Sequence, residues 1–184
     1  MDLDSAIRGR RSVRKYTDKP VPPQIVREVL EAGTWAPSAK NGQQWRFTVL
    51  MGSSKKELTT FFHQELDKLS KKMGMAHMGS SFNSCRIMEE AQVLVLVWDS
   101  NDAKQLAESS LQSVAAAIQN MLLKAYDKGL GSLWICDIYY ATEAVTKHLH
   151  KTWKLVAAVT IGWPAETPQP KPRKPVDDVS EFLG

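Results

Sequence analysis

Between Ser109 and Tyr126 the chain carries a single charge, Lys124, and otherwise runs through Ser-Leu-Gln-Ser-Val-Ala-Ala-Ala-Ile-Gln-Asn-Met-Leu-Leu and Ala-Tyr. Apolar or small side chains recur around most of the circumference of the helix this pattern predicts, and such a helix has to be buried on several sides. A chain of 184 residues is long enough for one well-buried core and short for two, so residues 1–184 are expected to form a single domain. In a domain of that size a second copy of the chain is the natural source of the remaining cover.

The rest of the chain supplies elements to pack against this helix. Ala91 to Trp98 is continuously apolar apart from Gln92, the pattern of a strand buried on both faces and therefore placed mid-sheet. Trp45 to Met51, Ser132 to Ile135 and Leu155 to Ile161 read as further strands. A short helix capped by Asp2 or Asp4 runs through Ile7 and stops at Gly9. A second begins at Pro22 or Pro23, carries Ile25, Val26, Val29 and Leu30 on one stripe, and ends near Gly33 or Trp35. A third opens at Ser53 or Ser54, and Thr142 is expected to cap one ending at His148. Lys71 to Arg86 breaks the periodicity with Gly74, Gly79, Ser and Asn, and reads equally as a mobile cover rich in Met or as a surface loop. Beyond Trp163, prolines at 164, 168, 170, 172 and 175 forbid helix and central strand, leaving an extended tail over about 164–184.

Two basic runs, Arg10 to Lys15 and Lys171 to Lys174, suggest an anion clamp. In an extended segment Arg10, Ser12 and Arg14 share one face, offering two guanidinium forks and a hydroxyl to a phosphomonoester. Arg173 sits on a stiff proline-rich segment that loses little entropy on binding. The first run alone is equally explained as a charged edge strand. The amide-rich loop from Ala36 to Gln44 offers donors and acceptors suited to the rim of a planar heterocycle, or local turn bonds.

Other sites are disfavoured. Gly129-Leu-Gly131 lacks a third glycine and opens a strand, which excludes a Rossmann fingerprint, and no lysine follows Gly79 as a P-loop requires. The four histidines have no metal-ligand spacing, and Cys85 and Cys136 stand apart without a paired motif. A net charge of +4 scattered among acids argues against nucleic acid as a partner. The start lacks a signal sequence and no stretch is long and apolar enough to span a bilayer, so a cytoplasmic protein with no membrane partner is expected.

Four blocks together resemble the FMN-dependent nitroreductase family: Arg10-Arg-Ser-Val-Arg-Lys-Tyr16; Glu31 to Ser38 with Asn41, Gln43 and Trp45; Gly131-Ser-Leu-Trp134; and Gly162-Trp-Pro164 followed by Pro172-Arg173. Gln44 stands where the family often has proline. The resemblance implies an α+β fold, a central mostly antiparallel sheet flanked by helices, and a homodimer with FMN in clefts between subunits. It assigns the FMN phosphate to Arg10, Ser12 and Arg173, with Arg11 in the same set, and puts Arg14 nearer the ring. Pro37, Ser38, Asn41 and Gln43 would come from the partner subunit, with Ser132, Leu133 and Trp134 along the opposite side of the flavin. The implied activity passes hydride from NADH or NADPH through flavin N5 to a small electron-poor acceptor such as a nitroaromatic or quinone, FMN itself carrying the chemistry. Reductive dehalogenation, alkene reduction or flavin fragmentation on the same fold, or flavin binding without turnover, are the alternatives.

Overall fold

The computed structural model describes residues 1–73, 78–103 and 106–184. Four strands, β1 (Trp45–Met51), β2 (Val93–Asp99), β3 (Gly131–Ile135) and β4 (Lys154–Gly162), form one sheet in the order β1-β2-β4-β3, with every neighbouring pair antiparallel. β2 lies inside the sheet and all seven of its residues are buried. Its side chains alternate between two separate cores, as the two-residue strand period requires. Val93, Val95 and Val97 join the first with Val159 and Ile161, while Leu94, Leu96 and Trp98 join the second with Leu133 and Ile135.

Helices close both sides. α2 (Pro23–Thr34) and α5 (Ala107–Asp127) cover the first core through Val26, Val29, Val114, Ile118 and Met121. Leu58, Phe62 and Leu66 of α3 (Gly52–Met73), Ile87 and Met88 of α4 (Gly79–Glu90), and Val145 of α6 (Thr142–His148) cover the second. The short α1 (Leu3–Gly9) is capped by Asp2, whose carboxylate accepts from Ser5 N at 2.9 Å. α5 buries Ser110, Ser113, Val114, Ala117, Ile118, Met121, Leu122 and Ala125 but leaves Leu111 44% exposed. The charge-poor helix thus retains an outward face.

Three expectations change. The Lys71 to Arg86 stretch is largely helical: Lys71 to Met73 end α3, and α4 starts at Gly79. Gly74 to His77, where the expected loop or cover also falls, lie outside the described residues. Packing overrides the poor periodicity, since Met78 and Cys85 fill the second core and Ser84 Oγ donates to Asp137 Oδ2 at 2.6 Å. At α6, Thr142 is the first helical residue rather than its cap, and its hydroxyl donates back to Tyr139 O at 3.0 Å. The tail is not extended throughout, because Val176–Asp178 closes one 3₁₀ turn.

Lys55 shows how α4 is ended: its ammonium donates to the carbonyls of Met88, Glu89 and Ala91, the last at 2.6 Å, which satisfies groups the helix leaves unpaired. Cys85 is buried and its thiol is pushed up to about 12 by burial, whereas Cys136 is exposed just beyond β3. Among the described residues no helix is long and apolar enough to cross a membrane.

Candidate functional site

The first basic run leaves α1 and docks as an extended segment on the outer edge of the sheet. Val13 N donates to Ser132 O at 3.0 Å and Thr17 N to Trp163 O at 2.9 Å, while Ala165 N returns to Lys15 O at 2.9 Å. The run is thereby held between β3 and the start of the tail. Glycine makes the approach possible at two points. A Cβ on Gly131 would lie 2.8 Å from the Val13 side chain, and one on Gly162 would lie 2.7 Å from the Tyr16 ring. Gly131→Ala is therefore expected to push the basic run off β3 and to lower stability by about 1–3 kcal/mol, as overpacking does, read as an earlier urea midpoint. An unchanged midpoint would mean that Val13 yields freely.

Tyr16 locks the same segment from beneath. Its hydroxyl donates to Val13 O at 2.9 Å and lies 2.8 Å from Thr160 Oγ1, which, with the one phenolic proton already used, is left as the donor. Burial holds the Tyr16 phenol protonated far above ordinary pH. On the tail side, Glu166 Oε1 accepts from Arg14 N at 2.6 Å, so a carboxylate fixes the backbone of the basic run.

With both segments docked, the two basic runs meet. A cleft of about 430 Å³ is lined by Arg8, Arg10, Arg11, Ser12 and Arg14 from one side and by Lys171 and Arg173 from the other, with no carboxylate in its wall. Arg10 is half-buried and lies below the usual arginine range because of burial first, then the charges of Arg173 and Arg11. Like charges gathered in this way repel, and an anion placed among them relieves that cost. Arg11 is partly committed elsewhere, since its Nη1 donates to Arg8 O at 2.6 Å and Arg10 O at 2.9 Å. Arg14 Nη1 donates to Ser12 O at 3.1 Å.

A second cleft of about 370 Å³ shares Arg10, Arg11 and Pro168 to Pro170 with the first and continues over Leu130, Gly131, Ser132, Pro164 and Glu166, so the carboxylate that fixes the Arg14 backbone stands in this adjoining cleft and not in the first. Ser132 is 2% exposed and its Oγ has no hydrogen-bond partner. A buried hydroxyl left unsatisfied costs free energy until a ligand or water pairs with it. Leu133 and Trp134 line neither cleft: Leu133 packs in the second core, and Trp134 lies against the first with its buried Nε1 unpaired.

Pro37, Ser38, Asn41 and Gln43 are also outside both clefts of their own chain. Their loop is tightly built: Gln43 N donates to Ser38 Oγ at 3.0 Å, Gln43 Nε2 to Asn41 Oδ1 at 3.2 Å, and Ala39 N to Ser113 Oγ at 3.1 Å. Lys40, Asn41 and Gln43 all adopt left-handed backbone, with φ of 53°, 53° and 48°. Such conformations are strained for residues with a Cβ and concentrate where a loop is preorganised for a task. Sequence reasoning missed Glu166 and the locking role of Tyr16. Nothing in the sequence marks Glu166 beyond its place two residues after Pro164, whereas Tyr16, an aromatic ending a basic run, was visible without its partners.

An antiparallel sheet lies between helical layers, and a cationic cleft forms where the N-terminal segment meets the C-terminal tail, an arrangement with the charge and donors that a phosphate group asks for. The chain belongs to the nitroreductase family, whose family model matches residues 7–163. It is 26% identical over 178 residues to a Bacillus subtilis (strain 168) protein named as an NAD(P)H nitroreductase, covering 96% of this chain and 91% of that one. Among solved structures, a nitroreductase in complex with FMN from Desulfovibrio desulfuricans is 28% identical with a TM-score of 0.80, covering 100% of this chain and 98% of the other. A BluB-like flavoprotein from Clostridium difficile 630 is 25% identical with a TM-score of 0.85, each chain covered in full.

Proposed function

We propose that this protein is an FMN-dependent oxidoreductase that takes hydride from NADH or NADPH and delivers electrons to a small electron-poor acceptor, such as a nitroaromatic or a quinone. The observation that carries the reading is the convergence of Arg10 and Arg173 in one wall without a carboxylate, beside the unpaired hydroxyl of Ser132. The residues present suit FMN: a phosphate dianion offsets the repulsion between the arginines, and a polyhydroxylated chain or ring edge has a donor or acceptor for the Ser132 hydroxyl.

Arg10, Ser12 and Arg173 would hold the phosphate, with Arg11 beside them. Arg14, whose backbone is fixed by Glu166, would sit nearer the ring, where a cation stabilises added negative charge. Bound FMN would supply hydride acceptance and release, which asks for stacking and a tuned potential rather than for an acid or base on the chain. The chain's own contribution is to orient: Tyr16, Gly131 and Gly162 press the basic run onto the sheet so that its guanidiniums face the cleft.

The working unit in this reading is a homodimer, in which Pro37, Ser38, Asn41 and Gln43 of one copy frame the ring held by the other, with Ser132 along its opposite side and Leu133 and Trp134, whose side chains pack into the cores, offering backbone groups there. Three features support it. The loop is preorganised but lines neither of its own chain's clefts; Leu111 is an apolar side chain 44% exposed on the outward face of α5; and Trp35 is 80% exposed on a groove that also includes Ala32 and Leu123. The cytoplasm, where NADH and NADPH are made and used, is the compartment that suits the activity.

The test is steady-state oxidation of NADH and NADPH by the FMN-loaded protein with a nitroaromatic or a quinone as acceptor. Acceptor-dependent turnover supports the reading. FMN retained without turnover would leave a flavin-binding protein, and FMN consumed with loss of its visible spectrum would point to the flavin-fragmenting alternative.

A further inference from the structure

The two clefts that share Arg10 and Arg11 differ in the group that matters most to an anion. The first has cations on both walls and no carboxylate, whereas the second, which continues over Leu130, Gly131 and Ser132, holds Glu166. Glu166 is partly buried and has one oxygen committed, since Oε1 accepts from Arg14 N at 2.6 Å. Its backbone is held in place as well: Tyr16 pairs with Pro164 in an antiparallel bridge, and Ala165 N donates to Lys15 O at 2.9 Å. The other carboxylate oxygen, Oε2, has no hydrogen bond or ion pair among the described residues.

An ionised carboxylate only accepts, so whatever pairs with Oε2 must donate. A phosphate dianion cannot do so. In the second cleft it would meet Glu166 as a like charge, and in the first it meets cations alone. The Ser132 hydroxyl, buried and unpaired, belongs to the second cleft and can both donate and accept. An acceptor-only oxygen and a free hydroxyl in one cleft suit a neutral chain that carries several hydroxyl groups. Holding Arg14 N does not by itself call for a carboxylate, because an amide oxygen accepts a backbone N–H equally well.

We propose that Glu166 binds the flavin directly, taking hydroxyl groups of the ribityl chain on Oε2, and so sets which way FMN lies across the two clefts. The phosphate occupies the cleft without a carboxylate, and the ribityl chain runs past Glu166 and Ser132. The proposal rests on the flavin reading above. It gives one carboxylate two tasks, one oxygen keeping the basic run against the tail and the other reading the sugar chain. The site then recognises more than a phosphate: a flavin with a ribityl chain and no phosphate is held better than the flavin ring alone.

The test titrates the flavin-free protein and its Glu166→Gln variant with FMN, with riboflavin and with lumiflavin, which lacks the ribityl chain, and measures inorganic phosphate as a competitor of FMN. Glutamine keeps an oxygen for Arg14 N but has no second acceptor to offer. The parent is expected to bind riboflavin about 10-fold or more tightly than lumiflavin, as a charge-assisted contact implies. The variant should lose most of that margin and weaken FMN by a similar factor, with its affinity for inorganic phosphate unchanged. A parent that binds riboflavin and lumiflavin equally, or a variant that keeps the parent's margin, overturns the ribityl contact and leaves the flavin reading intact. A variant that loses inorganic phosphate as much as riboflavin also overturns it, because Glu166 would then act only by holding Arg14. A parent that takes up no FMN overturns both.

Discussion

With alanine in place of Arg10, the protein is expected to hold FMN about 10- to 100-fold more weakly, while the flavin-free protein stays as stable as the parent or becomes slightly more so. The two halves of this result have one cause. Arg10 is half-buried beside Arg173, and burial together with that like charge already disfavours its protonated form. Removing it relieves repulsion in the empty cleft but deletes a charge-assisted contact to phosphate, worth roughly 1.5–3 kcal/mol. A merely structural arginine would behave in the opposite way, lowering stability with no special effect on flavin. Arg173→Ala should weaken FMN in the same direction, and the parent's affinity should fall as salt is raised, because exposed charges at the rim are screened. Fluorescence titration of FMN together with urea unfolding of the flavin-free forms checks both halves; flavin affinity unchanged in both variants would remove the clamp.

Trp98→Ala is expected to cost about 3–5 kcal/mol, enough to remove much of the stability of a domain this size. Trp98 is completely buried in the interior strand β2, packs in the second core, and donates its indole N–H to Thr48 Oγ1 at 3.0 Å across to β1. Alanine opens a cavity on the α3 side and removes the cross-strand donor together. Trp98→Phe keeps most of the apolar volume and loses chiefly the hydrogen bond, so about 1–2 kcal/mol is expected. Chemical unfolding of the three proteins gives the comparison. An alanine variant no weaker than the phenylalanine one would mean that the second core closes over the cavity.

Strand β2 announced itself through an unbroken apolar run, and α2 through two prolines followed by a single apolar stripe. Local physics determines both. Helix α4 was hidden because its buried face is built from Ser81, Ser84 and Cys85 as much as from Ile87 and Met88, so burial there follows from fit against α3 and not from hydrophobicity. The order β1-β2-β4-β3 was out of reach for a related reason, since strand pairing depends on long-range contacts with no periodic signature. At the site, residue type sufficed to pick out Arg10, Ser12 and Arg173, because guanidinium and hydroxyl chemistry narrows the ligand by itself. Glu166 went unseen, as its task is to hold a backbone N–H of Arg14 from a distant part of the chain. Nor could side-chain chemistry foretell that Leu133 turns into the second core while its neighbour Ser132 keeps a buried, unpaired hydroxyl next to the clamp.

Whether the meeting of the two basic runs creates a flavin phosphate site is tested most directly by an absorption spectrum of the purified protein, followed by chromatography of what heat releases. Oxidised-flavin bands, and release of FMN near one per chain, are expected either as isolated or after incubation with FMN and removal of the excess. A colourless protein that takes up no added FMN would contradict the flavin site, and would leave the acid-free cleft around Arg10 and Arg173 to another phosphorylated ligand.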